Sequence, residues 1–582
     1  MMRKFPWLVF VLVFGWKIAL FVFSAQPVPA NDAFFYDGAV IHKLLQGGYY
    51  NPCVALAFPV SGTEVFSAYP PLYQVPLLGW MSVFGVSALS AIALHLTLFG
   101  LYLLVVLAIF RRLQTPAWCV NLAGVFLLVF TFHDRPDSLA HLLGVIAVYA
   151  CVRSRRILYQ FSIANDAGGS SHQHIKTDRR EVAFLPLPKG EGRSEGEGDM
   201  GTCHDGHLEK ALLHRQTKND MGHPPESNAC VWVCAMVLCI ILALCASLQI
   251  GGIYFLVVSI ATIASCHLGK EPIPFLPMSL MVLVPVALVL LVKLTLPRPW
   301  AGFMENVHQT PFITGLRKPH WQEVVKIIRT VPGILLIMIL LPWTWFKLRP
   351  NFSSNAAWRY GILLLAALLP ALGILVASLS ILAPNTVAIS NYLQPVIVAS
   401  YLGLIASLRM EPRWLRWQVL CLLPAMLLGS VRAVGMTTWG LACAADVSYS
   451  SAVQKVEEQL THHPAGYKVV MSSAFLYGAA KHDELTLIHS DWLTRANGDS
   501  RLSDSQALLT VKPEKMILTQ YDYYRRFKGV LETVKGSPGL KDIQILDTAR
   551  TPPPDSYKSL QQVVQHISWA PVIITLSWQD GQ

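Results

Sequence analysis

Apolar runs of near-bilayer length recur along this chain, and no other feature limits its fold so strongly. They lie near 5–23, 88–110, 116–132, 136–152, 230–247, 249–266, 273–296, 331–346, 359–382, 393–408 and 417–435. A helix needs about 20 apolar residues to cross a bilayer, so the runs predict about eleven spans. Backbone polar groups in lipid must be satisfied within their own segment, which leaves helices as the only reading of such runs. Charged residues make up 14% of the sequence, against roughly 25% for a soluble globular chain. With a mean hydropathy of +0.45, these values argue against a soluble enzyme. The expected fold is mainly α, a polytopic transmembrane helical bundle.

Basic residues in the short loops set the orientation. Arg3 and Lys4 precede the first run, Arg111 and Arg112 follow the second, and Arg153, Arg155 and Arg156 follow the fourth. Lys347, Arg349, Arg409, Arg413 and Arg416 continue the series. All fall on one side if the apolar stretch 70–86 is re-entrant or juxtamembrane; it opens YPPLY and contains Pro76. That side is read as the cytoplasm, with the N-terminus in and the C-terminus out. The first run, followed by Ala25 and Ala30, also fits a signal peptide. An uncleaved anchor is expected, because the segment after it needs the membrane nearby.

Four parts follow from this pattern. Residues 1–156 form an N-terminal transmembrane part with a first outer loop at 24–87. Residues 157–229 are polar, rich in Gly and His, and include LPLPKGEGRSEGEGD. Such composition buries too little apolar surface to offset chain entropy, so a disordered cytoplasmic insertion is expected. The string resembles short interspersed repeats that bacterial genomes sometimes translate, which suggests a bacterial source. Residues 230–440 form a second transmembrane part with an outer loop at 297–330. Residues 446–582 read as a small soluble α/β domain outside the membrane. A helix is expected near 449–460, strands at KVVM, KMILT, IQIL and PVIITL, and a helix at YDYYRRF.

The net charge of +11 lies largely in cytoplasmic loops and implies no nucleic-acid partner. The 11 cysteines form no metal or disulfide spacing. Cys230, Cys234, Cys239 and Cys245 read as packing residues of one span, and Cys53 and Cys443 are the pair placed outside.

Three polar pieces converge on the outer face. NDAFFYD places Asp32 and Asp37 just after the first span. A carboxylate beside a membrane is costly to desolvate, which makes it a default candidate for a reacting site. Asp32 also suits the N-cap of the helix that follows. Asp37 lies five residues on, either a partner of Asp32 or the solvated side of that helix. The second piece is YPPLY, from Tyr69 to Tyr73. The third is HDRPDS, with His133, Asp134, Arg135 and Asp137 between two spans. Asp134 and Asp137 are candidates for acceptor or divalent-metal contacts, with His133 a weaker metal ligand. Equally, they suit a helix cap paired with Arg135. Arg298 at a span end is a candidate for an anionic group, and Trp300 and Trp321 read as interfacial anchors.

With these pieces in order, the chain resembles the C-type integral-membrane glycosyltransferases. The nearest branch in motif terms is that of the bacterial protein O-mannosyltransferase and aminoarabinose transferase relatives. The shared pattern is an acid after the first span, Tyr36, a leucine-rich helix ending in Gly, and the PPL segment. RPDSLAHLL resembles the arginine-aspartate junction of those relatives. ISNYLQPVIVASYLGLIA resembles a late span that often begins Arg-Tyr; here Asn391 takes the place of the arginine.

The resemblance implies transfer of a sugar from a polyprenyl-phosphate donor to a lipid, glycan or protein acceptor. The site would face outward from the bacterial cytoplasmic membrane. By family position Asp32 is the general base and Asp37 its understudy. Tyr36, Tyr69, Asp134, Arg135, Asp137 and Arg298 are the candidates for substrate binding. No cofactor is implied beyond a candidate divalent metal. The competing readings are a flippase or transporter of lipid-linked intermediates and an envelope ligase. A transporter would place its ionisable groups near mid-membrane on broken helices, often with internal repeats.

Overall fold

The computed structural model describes residues 7–22, 33–46, 71–112, 137–169, 225–269, 275–295, 449–548 apart from short gaps, and 570–579, with a few isolated positions. The expected spans at 331–346, 359–382, 393–408 and 417–435, most of that at 116–132, and the loop 297–330 lie outside them.

The membrane part is almost wholly helical in its described residues. Helix α1 is Leu8–Val22, α2 is Ala33–Gln46, and a 3-10 turn at Pro71–Tyr73 leads into α3, Gln74–Phe84. Then come α4, Ala88–Arg112; α5, Asp137–Gly169; α6, Pro225–Ala246; α7, Leu248–Gly269; and α8, Phe275–Thr295. Of these, α4 and the first part of α5, Asp137–Ser154, are long and apolar enough to cross a membrane. Helix α3 has 11 residues, a rise of roughly 17 Å, too short to span about 30 Å of hydrocarbon. That length agrees with the non-crossing reading of 70–86.

Side-chain periodicity explains how α4 sits. It buries Ala91, Leu94, His95, Leu98, Tyr102, Val106 and Ile109, a stripe at helical spacing, and leaves Leu89, Leu101 and Leu104 exposed. Helix α8 carries this further, exposing Phe275, Leu276, Leu283, Leu290 and Leu294. Apolar side chains on the outward faces of neighbouring helices would drive association in water; against lipid they cost nothing. Between helices, packing depends on small residues. A Cβ added at Gly144 of α5 would collide with the Tyr254 ring of α7, so glycine is what allows that approach.

Basic residues lie toward the C-terminal ends of the apolar stretches of α4 and α5. Arg111 and Arg112 close the last turn of α4. Arg153 lies sixteen residues into α5, roughly 24 Å from Asp137 along the axis. Its guanidinium is 4.9 Å from the Trp232 ring centroid within the compact unit Ala150–Ala235. Helix α5 runs on to Gly169, past the boundary expected at 156, and α6 starts at Pro225, before 230. Adding residues to a formed helix costs far less than nucleating one, so a polar stretch can extend it.

The C-terminal segment folds around a small sheet. Helix α9, Tyr449–Leu460, precedes β1, Lys468–Met471, and a short helix α10, Leu476–Ala479. Strand β2 is Thr486–His489, helix α11 is Asp504–Val511, and β3 is Lys515–Leu518. Strands β4, Leu540–Asp547, and β5, Val572–Trp578, complete a sheet of order β2-β1-β3-β5-β4. The first three strands are parallel, and β5 runs antiparallel between β3 and β4. Its core holds Val470, Leu508, Met516, Leu518, Phe527 and Ile574. Burying the Phe527 ring contributes about 2–3 kcal/mol.

The strands expected at KVVM, KMILT, IQIL and PVIITL are β1, β3, part of β4 and β5. YDYYRRF is helical, with a π turn at Tyr523–Phe527. Strand β2 and α11 are additions. The latter is opened by a capping box in which Ser503 and Gln506 each satisfy the other's backbone N–H.

Candidate active site

Helix α2 follows α1 and buries one face. Asp37, Val40 and Ile41 sit at i, i+3 and i+4 and are all within 4% of full burial. Asp37 is therefore not on a solvated side, as one of the two sequence readings had it; it shares the apolar face. The phenolic Oη of Tyr477, in α10, donates to Asp37 Oδ2 at 2.6 Å. Oδ1 is buried with no hydrogen-bond partner among the described residues. Burial pushes the carboxyl up to about 7, against the Tyr477 hydrogen bond, which favours the ionised form. A carboxyl held there exchanges protons readily near neutral pH, the condition for acid-base work.

A second polar cluster joins four elements. Tyr73, at the head of α3, and His95 Nε2 are 2.6 Å apart, and His95 Nδ1 is 2.8 Å from Ser138 Oγ. All three side chains are buried, and the Tyr73 and His95 rings stack at 5.5 Å. One residue before Ser138, Asp137 opens α5, where its charge opposes the positive end of the helix. Asp137 Oδ1 accepts a 2.8 Å hydrogen bond from Ser247, the single residue between α6 and α7. His95, two turns into α4, the first turn of α5 and the α6–α7 break thus meet toward the end of α4 opposite Arg111 and Arg112. Helix α3 packs against both α2 and α4, so Asp37 and this cluster are served by adjoining elements.

The remaining candidates divide plainly. Asp32, Tyr69, His133, Asp134, Arg135 and Arg298 lie outside the described residues, as does the Tyr36 side chain. Among the described residues, no three His, Cys, Asp or Glu side chains gather as a metal ion would require. Three contributors had no place among the sequence candidates: His95, Ser247 and Tyr477. His95 carried a signal, being ionisable in the middle of an apolar run. Tyr477 carried none, standing 440 residues from its partner.

The aminoarabinose transferase ArnT from Cupriavidus metallidurans, solved bound to undecaprenyl phosphate, matches this structure over 98% of both chains. The TM-score is 0.50 and the sequence identity 12%. The chain has the C-type membrane glycosyltransferase fold. An oligosaccharyltransferase from Archaeoglobus fulgidus, tethered to an acceptor peptide, also aligns. It covers 100% of this chain and 74% of its own, with a TM-score of 0.43 and 9% identity. No family model and no curated protein matches the chain by sequence. The fold accounts for the described architecture: a polytopic helical membrane protein carrying a small sheet-containing domain.

Proposed function

We propose that this protein is a membrane glycosyltransferase that moves a sugar from a polyprenyl-phosphate donor to an acceptor on the outer face of the bacterial cytoplasmic membrane. The observation that carries this reading is the fold match to ArnT over nearly the full length of both chains. That relative was solved with undecaprenyl phosphate, the class of carrier the reading requires. Sidedness is supported by Arg111 and Arg112, which close the end of α4 opposite His95, as cytoplasmic arginines would.

The chemistry needs one base. A carboxylate takes the proton of the acceptor hydroxyl, and that oxygen forms its bond to the anomeric carbon of the sugar. The carbon–oxygen bond to phosphate breaks, and its electron pair leaves on the polyprenyl phosphate. Because phosphate is stable as an anion, no second carboxyl group has to protonate the leaving oxygen, unlike the paired acids of glycosidases. A single displacement of this kind inverts the anomeric centre. A positioned base contributes about 10²–10⁴-fold.

The base belongs to NDAFFYD. Asp32 holds the motif position, and Asp37 has the buried, proton-exchanging character described above. Arg135 and Arg298 remain the proposed phosphate partners, and Asp134 and Asp137 the acceptor side.

The test is transfer by purified protein from a polyprenyl-phosphate sugar, with D32N and D37N beside the wild type. Loss in D32N alone assigns the base to Asp32, and loss in D37N alone moves it to Asp37. A wild type that consumes no such donor sinks the reading. Mass spectrometry of envelope glycans and lipids from a deletion strain would name the sugar and acceptor.

A further inference from the structure

The C-terminal domain reaches into the candidate site through one side chain, and the way that side chain is held is unusual for mere packing. Tyr477 stands on α10, which four residues, with a 3-10 turn at Ser473–Phe475, separate from β1. The loop between them is fixed twice: Ser472 N–H donates to the Ile517 carbonyl at 2.9 Å, extending the β1–β3 pairing, and Tyr449 Oη donates to the Ala474 carbonyl at 2.6 Å. Gly478 then lets α10 press on α9; a Cβ there would lie 2.9 Å from Val456 Cγ1 and 3.0 Å from the Val453 carbonyl oxygen. The short helix is thus clamped by the sheet on one side and by α9 on the other, and α2 packs against it. Tyr477 is itself buried, at 7% exposure.

Resting on the glycosyltransferase reading, we infer that the C-terminal domain is a working part of the site. Tyr477 is a positioning residue that holds the Asp37 carboxyl by Oδ2, so that Oδ1 is presented to the acceptor hydroxyl. An apolar pair would join the two domains more cheaply than a buried carboxyl and phenol. The clamped geometry fixes which oxygen is engaged and which is left for substrate. Among the described residues, the elements packed on Asp37 bring few titratable groups to it. Helix α3 carries no titratable residue, and α10 carries only Tyr477. Among the described side chains of α2, Lys43 lies six residues on and is exposed.

The experiment uses full-length protein in proteoliposomes with a polyprenyl-phosphate sugar as donor. Wild type, Y477F and D37N are compared for kcat, donor KM, pH profile and the infrared band of the protonated carboxyl. Y477F is expected to assemble as the wild type does and keep the donor KM, while kcat falls about tenfold or more. Because the lost hydrogen bond favours the ionised carboxyl, the acid limb should move to higher pH, by about one unit. The carboxyl band absent from D37N should shift in Y477F.

Wild-type transfer with Y477F unchanged in kcat and pH profile overturns the inference. So does transfer that survives D37N unimpaired. A wild type that transfers nothing overturns the glycosyltransferase reading instead, and the infrared band then reports alone on whether Tyr477 holds the carboxyl. An unshifted band in Y477F overturns that pairing as well.

Discussion

His95 Nδ1 and Ser138 Oγ lie 2.8 Å apart, so a residue two turns into one apolar helix is bonded to the second residue of another. The other ring nitrogen meets Tyr73 at 2.6 Å. An imidazole bonded on both nitrogens has a fixed tautomer and ring plane. It ties the YPPLY turn to the junction where Asp137 sits.

Replacing His95 by leucine should strip two buried hydroxyls of a partner. A cost of about 2–4 kcal/mol is expected, the sum of two lost bonds and their desolvation. Thermal unfolding of the detergent-solubilised protein measures it. An H95L protein as stable as the wild type would show that water or neighbouring groups replace the imidazole.

The bond between Ser247 and Asp137 predicts coupling between the α6–α7 break and the head of α5. S247A should cost about 1.5–3 kcal/mol, the range for a hydrogen bond to a charged group. In a double-mutant cycle with D137A the two losses should be less than additive by at least about 0.5 kcal/mol. Strict additivity would mean the two residues act independently.

Asp37 makes stability depend on pH with a definite sign. Its folded value is raised to about 7 from 3.8, so between those values the folded protein binds more protons than the unfolded one. Stability therefore falls as pH rises from about 4 to 7, by a few kcal/mol in all, and levels off above. D37N should flatten that slope. Unfolding midpoints of both proteins across pH 4–8 would show it, and parallel curves would refute the assignment.

At Gly144 any side chain meets the Tyr254 ring. G144A should cost about 1–3 kcal/mol through overpacking, and Y254A in the same chain should recover part of it. Failure of the second change to help would place the strain elsewhere.

What was readable in the sequence depended on distance along the chain. KVVM and KMIL stood out as strands because fully buried parallel strands are continuous apolar runs. The short strand TLIH did not, following the polar KHDE. Helix α11 had its signature, Ser503 with Gln506 three residues later, but only a brief apolar stretch behind it. The phase of α2 was legible too, since Val40 and Ile41 put Asp37 on the apolar face by spacing alone. The Tyr477 contact was not, because nothing local records which loop of a distant domain will meet α2. The family resemblance named the fold but weighted Asp32 above Asp37, and only burial drew attention back to the second acid.

Strand β5 is the last of the five along the chain, yet it lies between β3 and β4, so the sheet cannot close before residues 572–578 have been made. Until then β3 keeps an open edge, and the domain that carries Tyr477 is incomplete. A ribosome-bound chain that has inserted its first helices therefore carries an unfinished site. The Tyr477–Asp37 bond is thus a late event of synthesis, joining residues 440 positions apart.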